Sequence, residues 1–206
     1  MLKLYHAPLS RSARVLWLLE EMGLEYTLET IPFRDLLAGK HRTPEYLALH
    51  PLGLVPLLEI DDGTRLFESG AICAWLTDRY PERGLAPLSS EAARPSWQQW
   101  MYFSAATLEP PAWTIIRHTR MLPEDKRNAP ALASAKRRYG EVLAVLEAEM
   151  ADGREWLLGE AFSSADIMLV LTLQWSPAFL ADFSNLKAWC ARAMARPAYR
   201  RARHAG

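Results

Sequence analysis

Cysteine is scarce in this chain: there are two in 206 residues, Cys73 and Cys190. Both fall inside apolar helical patterns and no CxxC spacing occurs, so neither a disulfide framework nor a cysteine zinc site is indicated. Net charge is lacking as well. Lys plus Arg number 24 and Asp plus Glu number 24, which leaves no global field to draw in nucleic acid or anionic lipid. Long apolar runs are missing: residues 167–173 form the longest, too short for a bilayer. The opening MLKLYHAP has neither an extended apolar core nor a small-residue cleavage site. Histidines 6, 50, 118 and 204 show no metal-ligand spacing and read as structural or surface residues. No internal repeat or low-complexity tract is visible. The expectation is a soluble, cytoplasmic protein with no metal and no nucleic-acid or membrane partner. Arg196, Arg200, Arg201 and Arg203 read as a frayed, solvated tail.

What is present is a chain that is 50% hydrophobic, enough for one large core or two small ones. Leu2 and Leu4 alternate as in a short strand. Ser10 then offers a cap to a helix whose Val15, Leu16, Leu18, Leu19 and Met22 share a face, stopped by Gly23. Residues 25–31 (EYTLETI) alternate again. Residues 34–50 are polar and irregular, with a short helix over 44–49. Two further strands and a helix complete a βαβ-ββα order, which suits a mixed four-stranded sheet with helices on its faces. Pro and Gly cluster at 81–87, and after it every signal is helical. The expected division is 1–80 as an α/β domain, 81–89 as linker and 90–206 as an all-α helical bundle. Within the second part, Pro110-Pro111 interrupts or ends the helix that starts near 91, and Ser163-Ser164-Ala165-Asp166 has the form of a capping box before the most apolar helix, 167–175. Ser184 caps the last helix and Pro197 ends it.

The densest stretch is 50–71, HPLGLVPLLEIDDGTRLFESGA. Pro56 directly precedes an apolar run, where proline is tolerated at a strand's first residue or edge, and the Val55–Pro56 bond is open to the cis form because only X-Pro bonds adopt cis cheaply. Asp61 to Thr64 reads as a hairpin turn. Glu68-Ser69-Gly70 reads as a helix entry capped by Ser69, whose first N–H groups offer donors to an anion beside an extended backbone edge. At the start of the first helix, the hydroxyl of Ser10 can donate to a sulfur brought by a ligand, with the helix dipole favouring the anion. Ser10 fits a plain N-cap equally well.

Three blocks, LYHAPLSRSARVLWLLEEMGLEY, HPLGLVPLLEIDDGTRLFESGAICAWLTDRYP and GEAFSSADIML, together resemble the bacterial cytosolic glutathione transferases over nearly the whole length. The resemblance implies a thioredoxin-like first domain, a homodimer, and glutathione as co-substrate with a small hydrophobic electrophile as second substrate. It implies that Val55, beside cis-Pro56, presents its backbone to the cysteinyl part of glutathione, and that Glu68 and Ser69 hold the γ-glutamyl end. Serine-type members place the activating hydroxyl four residues before the helix arginine, here Arg14, which makes Ser10 the first choice and Ser12 the second; Tyr5, near the place used by tyrosine-type members, fits less well. The departure is Leu54, where relatives often carry a lysine for the glycyl carboxylate; His41 or Arg42 is the expected substitute. Met101, Trp113, Arg117 and Met121 are the candidates for an electrophile site against the first helices of the bundle, although methionine and aromatic stripes at helical spacing are commonly core. Glutathione-dependent peroxide reduction is a further expected activity, and a binding or regulatory protein without catalysis is the alternative.

Overall fold

The computed structural model describes residues 1–205, which form two compact units: Met1–Arg83 together with residues 195–205, and Gly84–Met194. In the first unit the strands are β1 (Leu2–His6), β2 (Tyr26–Thr30), β3 (Leu57–Ile60) and β4 (Arg65–Phe67), in sheet order β2-β1-β3-β4. β1 runs parallel to β2 and antiparallel to β3, which pairs antiparallel with β4, so the sheet is mixed, with a thioredoxin-like order. The parallel pair needs a crossover, and α1 (Ser12–Met22) supplies it. Leu2, Leu4 and His6 share one side of β1 by the two-residue period and all are buried. Tyr5 and Ala7 fall on the other side, in a cluster with Ile31, Tyr46 and Leu57. The irregular region contains two short helices, α2 (Phe33–Leu37) and α3 (Pro44–Leu49), the second capped by the Thr43 hydroxyl. α4 (Ser69–Arg79) follows β4.

Two expected caps are corrected. Arg11, not Ser10, occupies the N-cap position of α1; the Ser10 hydroxyl accepts the Ser12 N–H from one residue farther back and gives its own proton to the Ala7 carbonyl. Ser69 is the first residue of α4, with Glu68 before it at φ 72°, so the serine hydroxyl is released for another partner.

The terminal arginines are a second correction. Rather than a tail, α10 (Pro197–Ala205) packs on α1: the Tyr199 ring stands edge-on to Trp17 at 4.8 Å, and Arg196 forks onto Glu21 with bonds of 2.7 and 2.8 Å. Pro197 starts this helix, where its missing N–H costs nothing, and so the last residues join the α/β unit. Glu21 also accepts from Trp17 Nε1 at 2.9 Å. The Glu21 carboxylate is 7% exposed, whereas the Arg201–Glu20 pair has an arginine 56% exposed. Glu21→Ala is therefore expected to cost about 2 kcal/mol, because it removes the carboxylate that accepts from both the indole N–H and the forked guanidinium. Arg201→Ala is expected to cost under about 1 kcal/mol, as surface ion pairs do. Urea midpoints at constant m-value measure both.

In the second unit, α5 (Arg94–Phe103) and α6 (Glu109–Ile116) are joined by a π-helical turn over Ser104–Leu108, and a second π turn, Arg117–Met121, ends α6. Pro110-Pro111 therefore does not break the chain's helical course. The wider turn before it absorbs the missing donors and ring bulk, and the prolines sit in the first turn of α6, where they are tolerated. α7 (Ala129–Glu149) buries Tyr139, Val142, Leu143 and Leu146; α8 (Ser164–Leu173) is buried along nearly its whole length. The capping box forms as expected: Asp166 accepts from the Ser163 N–H and hydroxyl, both at 2.9 Å. α9 (Ser184–Met194) begins at Ser184, and its free N–H groups at Asn185 and Leu186 are capped by the carboxylate of Glu147 on α7, both at 3.0 Å.

Candidate active site on the thioredoxin-like unit

At the end of β1 the chain turns through Ala7 into the N-terminus of α1, with Leu9 at φ 60° making the bend. Three polar side chains converge there. Ser10 Oγ donates to the Ala7 carbonyl at 2.7 Å, accepts from the Ser12 N–H at 3.2 Å and lies 2.6 Å from Ser12 Oγ. Ser12 Oγ accepts from the Ala7 N–H at 3.1 Å and lies 2.8 Å from His6 Nδ1. Ser12 is fully buried and Ser10 partly exposed. His6 was expected to be merely structural; it belongs to this network, and the two-residue period of β1, which aims it at the same side as Leu2 and Leu4, is the signal that could have found it.

Burial pushes the His6 imidazole down to about 4 from its ordinary 6.5, so it is neutral at physiological pH. Because the unfolded chain protonates this histidine near 6.5 and the folded one only near 4, stability is complete above 6.5 and falls as the pH drops through that window, by up to about 3 kcal/mol. His6→Phe is expected to flatten this acid limb in urea titrations between those two pH values.

The second element is the loop before β3. Val55–Pro56 is cis, and Val55 lies just outside the β1–β3 pairing, which begins at Leu57. His41 Nε2 bonds the Gly53 carbonyl at 2.8 Å, and Tyr46 Oη donates to the Leu54 carbonyl at 2.7 Å. Arg42 lies along Gly53 so closely that a Cβ there would stand 2.9 Å from Arg42 Cγ, and Gly53 itself is at φ 55°. Both basic candidates are thus gathered beside Leu54, whose own side chain is exposed. Lys40 is drawn off to Asp35 at 3.3 Å.

The third element is the start of α4. Glu68 is exposed and held at φ 72°, a backbone region that costs a non-glycine residue about 1–2 kcal/mol and marks functional positions more often than others. Ser69 is buried, and its hydroxyl accepts from the buried Arg14 Nη1 at 3.0 Å. With a lone pair so occupied, its proton is available to an acceptor in front of the helix, where the first-turn N–H groups also point.

The electrophile candidates are dispersed within the helical unit. Met101 is buried, its sulfur accepting from Ser164 Oγ at 3.8 Å, and Trp113 is half-buried and edge-on to Trp175 at 6.4 Å. Arg117 and Met121 are exposed on the second π turn. Among the described residues there is no cluster of three or more His, Cys, Asp or Glu able to hold a metal ion, and no helix is long and apolar enough to cross a membrane.

Comparison with known proteins agrees with this geometry. The family model for the glutathione S-transferase N-terminal domain matches residues 10–79, and that for the C-terminal domain matches residues 106–197. Glutathione S-transferase 3 of Zea mays is 32% identical over 209 aligned residues, covering 97% of this chain and 92% of the maize protein. Elongation factor 1-gamma of Homo sapiens is 31% identical across 92% of this chain, which spans 43% of that longer protein. Among solved structures, a glutathione transferase from Methylococcus capsulatus superposes with a TM-score of 0.88 at 28% identity, covering 100% of this chain and 98% of that one. A sphingomonad glutathione S-transferase complexed with glutathione gives 0.85 at 28% identity, over 98% of each chain. With the mixed sheet, the cis-proline loop and the Glu68-Ser69 helix entry all in place, the chain belongs to the glutathione S-transferase family.

Proposed function

We propose that this transferase is a serine-type member of bacterial kind, in which the Ser10 hydroxyl holds bound glutathione as its thiolate for attack on small hydrophobic electrophiles. The observation that carries this is the contrast between two hydroxyls at one helix N-terminus: Ser10 is partly exposed, whereas Ser12 is sealed behind it with its contacts filled by His6, Ala7 and Ser10. Val55 beside Pro56 would pair with the cysteinyl backbone. Glu68 would meet the γ-glutamyl ammonium, and Ser69 its carboxylate. His41 and Arg42, gathered at Gly53, would serve the glycyl carboxylate in place of the lysine that Leu54 displaces. Met101, Trp113, Arg117 and Met121 remain the proposed lining for the electrophile.

The same thiolate would reduce a hydroperoxide: sulfur attacks the terminal oxygen, the O–O bond breaks to release an alcohol, and the resulting sulfenic acid condenses with a second glutathione to give the disulfide and water. The working form is proposed to be a cytoplasmic homodimer acting without a metal. Conjugation of a chlorodinitrobenzene-type substrate, followed as glutathione is varied, tests this; saturable turnover supports it and its absence opposes it.

The match to elongation factor 1-gamma across 92% of this chain favours one second reading, a binding or regulatory protein with no catalysis. Retention on immobilised glutathione with measurable turnover opposes that reading, and no binding at millimolar glutathione supports it.

A further inference from the structure

The direction of each hydrogen bond around Ser10 can be deduced by counting protons. The Ala7 carbonyl can only accept, so the 2.7 Å contact takes the single proton of Ser10. The Ser12 N–H can only donate and takes one Ser10 lone pair. With its proton committed, Ser10 must accept across the 2.6 Å contact from Ser12 Oγ. The alternative target for the Ser12 proton, the Ala7 carbonyl, is farther at 3.2 Å and already receives Ser10. Ser12 Oγ accepts the Ala7 N–H, and with its own proton given to Ser10 it accepts from His6 as well; the Nδ1–H tautomer of the imidazole is the assignment that satisfies all of these contacts together. The chain of donation therefore runs one way, from His6 through Ser12 and Ser10 to the Ala7 carbonyl.

We infer that His6 and Ser12 are positioning residues that fill both lone pairs of Ser10 and so make its hydroxyl a donor only, able to bond a thiolate but unable to accept a thiol S–H. This rests on the proposal that Ser10 faces the glutathione sulfur. A hydroxyl with a free lone pair bonds thiol and thiolate alike and selects neither. One whose lone pairs are full can only donate, and it exchanges the Ala7 carbonyl for the sulfur favourably only when the sulfur is ionised, because a thiol sulfur is a weak acceptor and a thiolate a strong one. The neutrality of His6 agrees with this, since a neutral ring has one N–H to give and a fixed tautomer decides where it goes.

The thiol titration of bound glutathione, followed by the ultraviolet absorbance of the thiolate, tests the relay in the full-length protein. Ser12→Ala is expected to leave about tenfold less thiolate at neutral pH, a shift of about one pKa unit, with glutathione affinity unchanged. His6→Phe is expected to leave about threefold less, and His6→Asn, which keeps an N–H at the Nδ1 position, to restore wild-type behaviour. In a Ser10→Ala background His6→Phe should add nothing, a non-additivity that general loosening of the fold would not produce. Wild-type titration in both Ser12→Ala and His6→Phe, with Ser10→Ala alone shifted, overturns the relay and leaves the serine reading intact. An unshifted Ser10→Ala overturns the serine reading itself. Should His6→Phe fail to fold, His6→Leu, which also removes the Nδ1–H donor, takes its place, and a wild-type titration in Ser12→Ala by itself overturns the relay.

Discussion

Ser10→Ala is expected to lower kcat for conjugation about 100-fold while glutathione affinity changes by less than about twofold. A charge-assisted hydrogen bond to a developing or resident anion is worth about 1.5–3 kcal/mol, and the helix N-terminus adds about 0.3–1 kcal/mol that the substitution leaves in place. A shift of two pKa units in the bound thiol corresponds to about 2.7 kcal/mol, which lies within that range. Affinity is spared because the groups proposed to hold the tripeptide, Val55, Glu68, Ser69, His41 and Arg42, are untouched. The split decides the matter: a raised KM at constant kcat would mean that Ser10 contributes uniform binding and no activation. Unchanged turnover would remove Ser10 and return attention to Ser12.

The largest stability effect is expected at Asp166. Its carboxylate accepts from the Leu157 N–H, the Ser163 N–H and hydroxyl, and Trp189 Nε1, at 2.9, 2.9, 2.9 and 3.0 Å, and the residue is fully buried. It therefore joins the preceding loop, the start of α8 and the side of α9 at one point. Burial pushes its carboxyl up, and those four bonds oppose that shift by holding the charge. Asp166→Ala removes the shared acceptor of four buried donors; at about 1–3 kcal/mol per stranded group the loss is expected to exceed about 4 kcal/mol. Ser163→Ala removes one of the four bonds and should cost about 1 kcal/mol, in line with other N-cap losses. Thermal midpoints of the two variants, with the helical signal before melting, measure this. A midpoint for Asp166→Ala within a few degrees of wild type would show that the acceptor is not what closes this corner.

What could be read before folding was local. The cis Val55–Pro56 turn, the sequence of strands around Asp61 to Thr64 and the Ser163–Asp166 box each depend on residues a few positions apart, and each formed as the sequence implied. Caps were less legible, because a serine near a helix start has competitors for its hydroxyl: Ser10 went to a carbonyl behind it and Ser69 to Arg14, 55 positions away. Composition could not reveal that Arg196 meets Glu21 across 175 positions, so a basic run that resembles a solvated tail is an anchored helix. Pro110-Pro111 misled for a different reason. The rule that proline breaks helices assumes an unbroken α-helical frame, and a π turn shifts the frame before the prolines enter. A lone histidine on a strand carries no motif: the two-residue period of β1 places His6 on the buried side, and the approach of Ser12 to Nδ1 gives it a role there.

The most direct measurement is a crystal structure of the protein soaked with glutathione, read for the hydroxyl nearest the sulfur. Ser10 Oγ within about 3.5 Å of that sulfur, just beyond ordinary hydrogen-bond length because sulfur is larger, with Ser12 still on His6 Nδ1, is the predicted result. Sulfur placed on Ser12, or on neither serine, would contradict it.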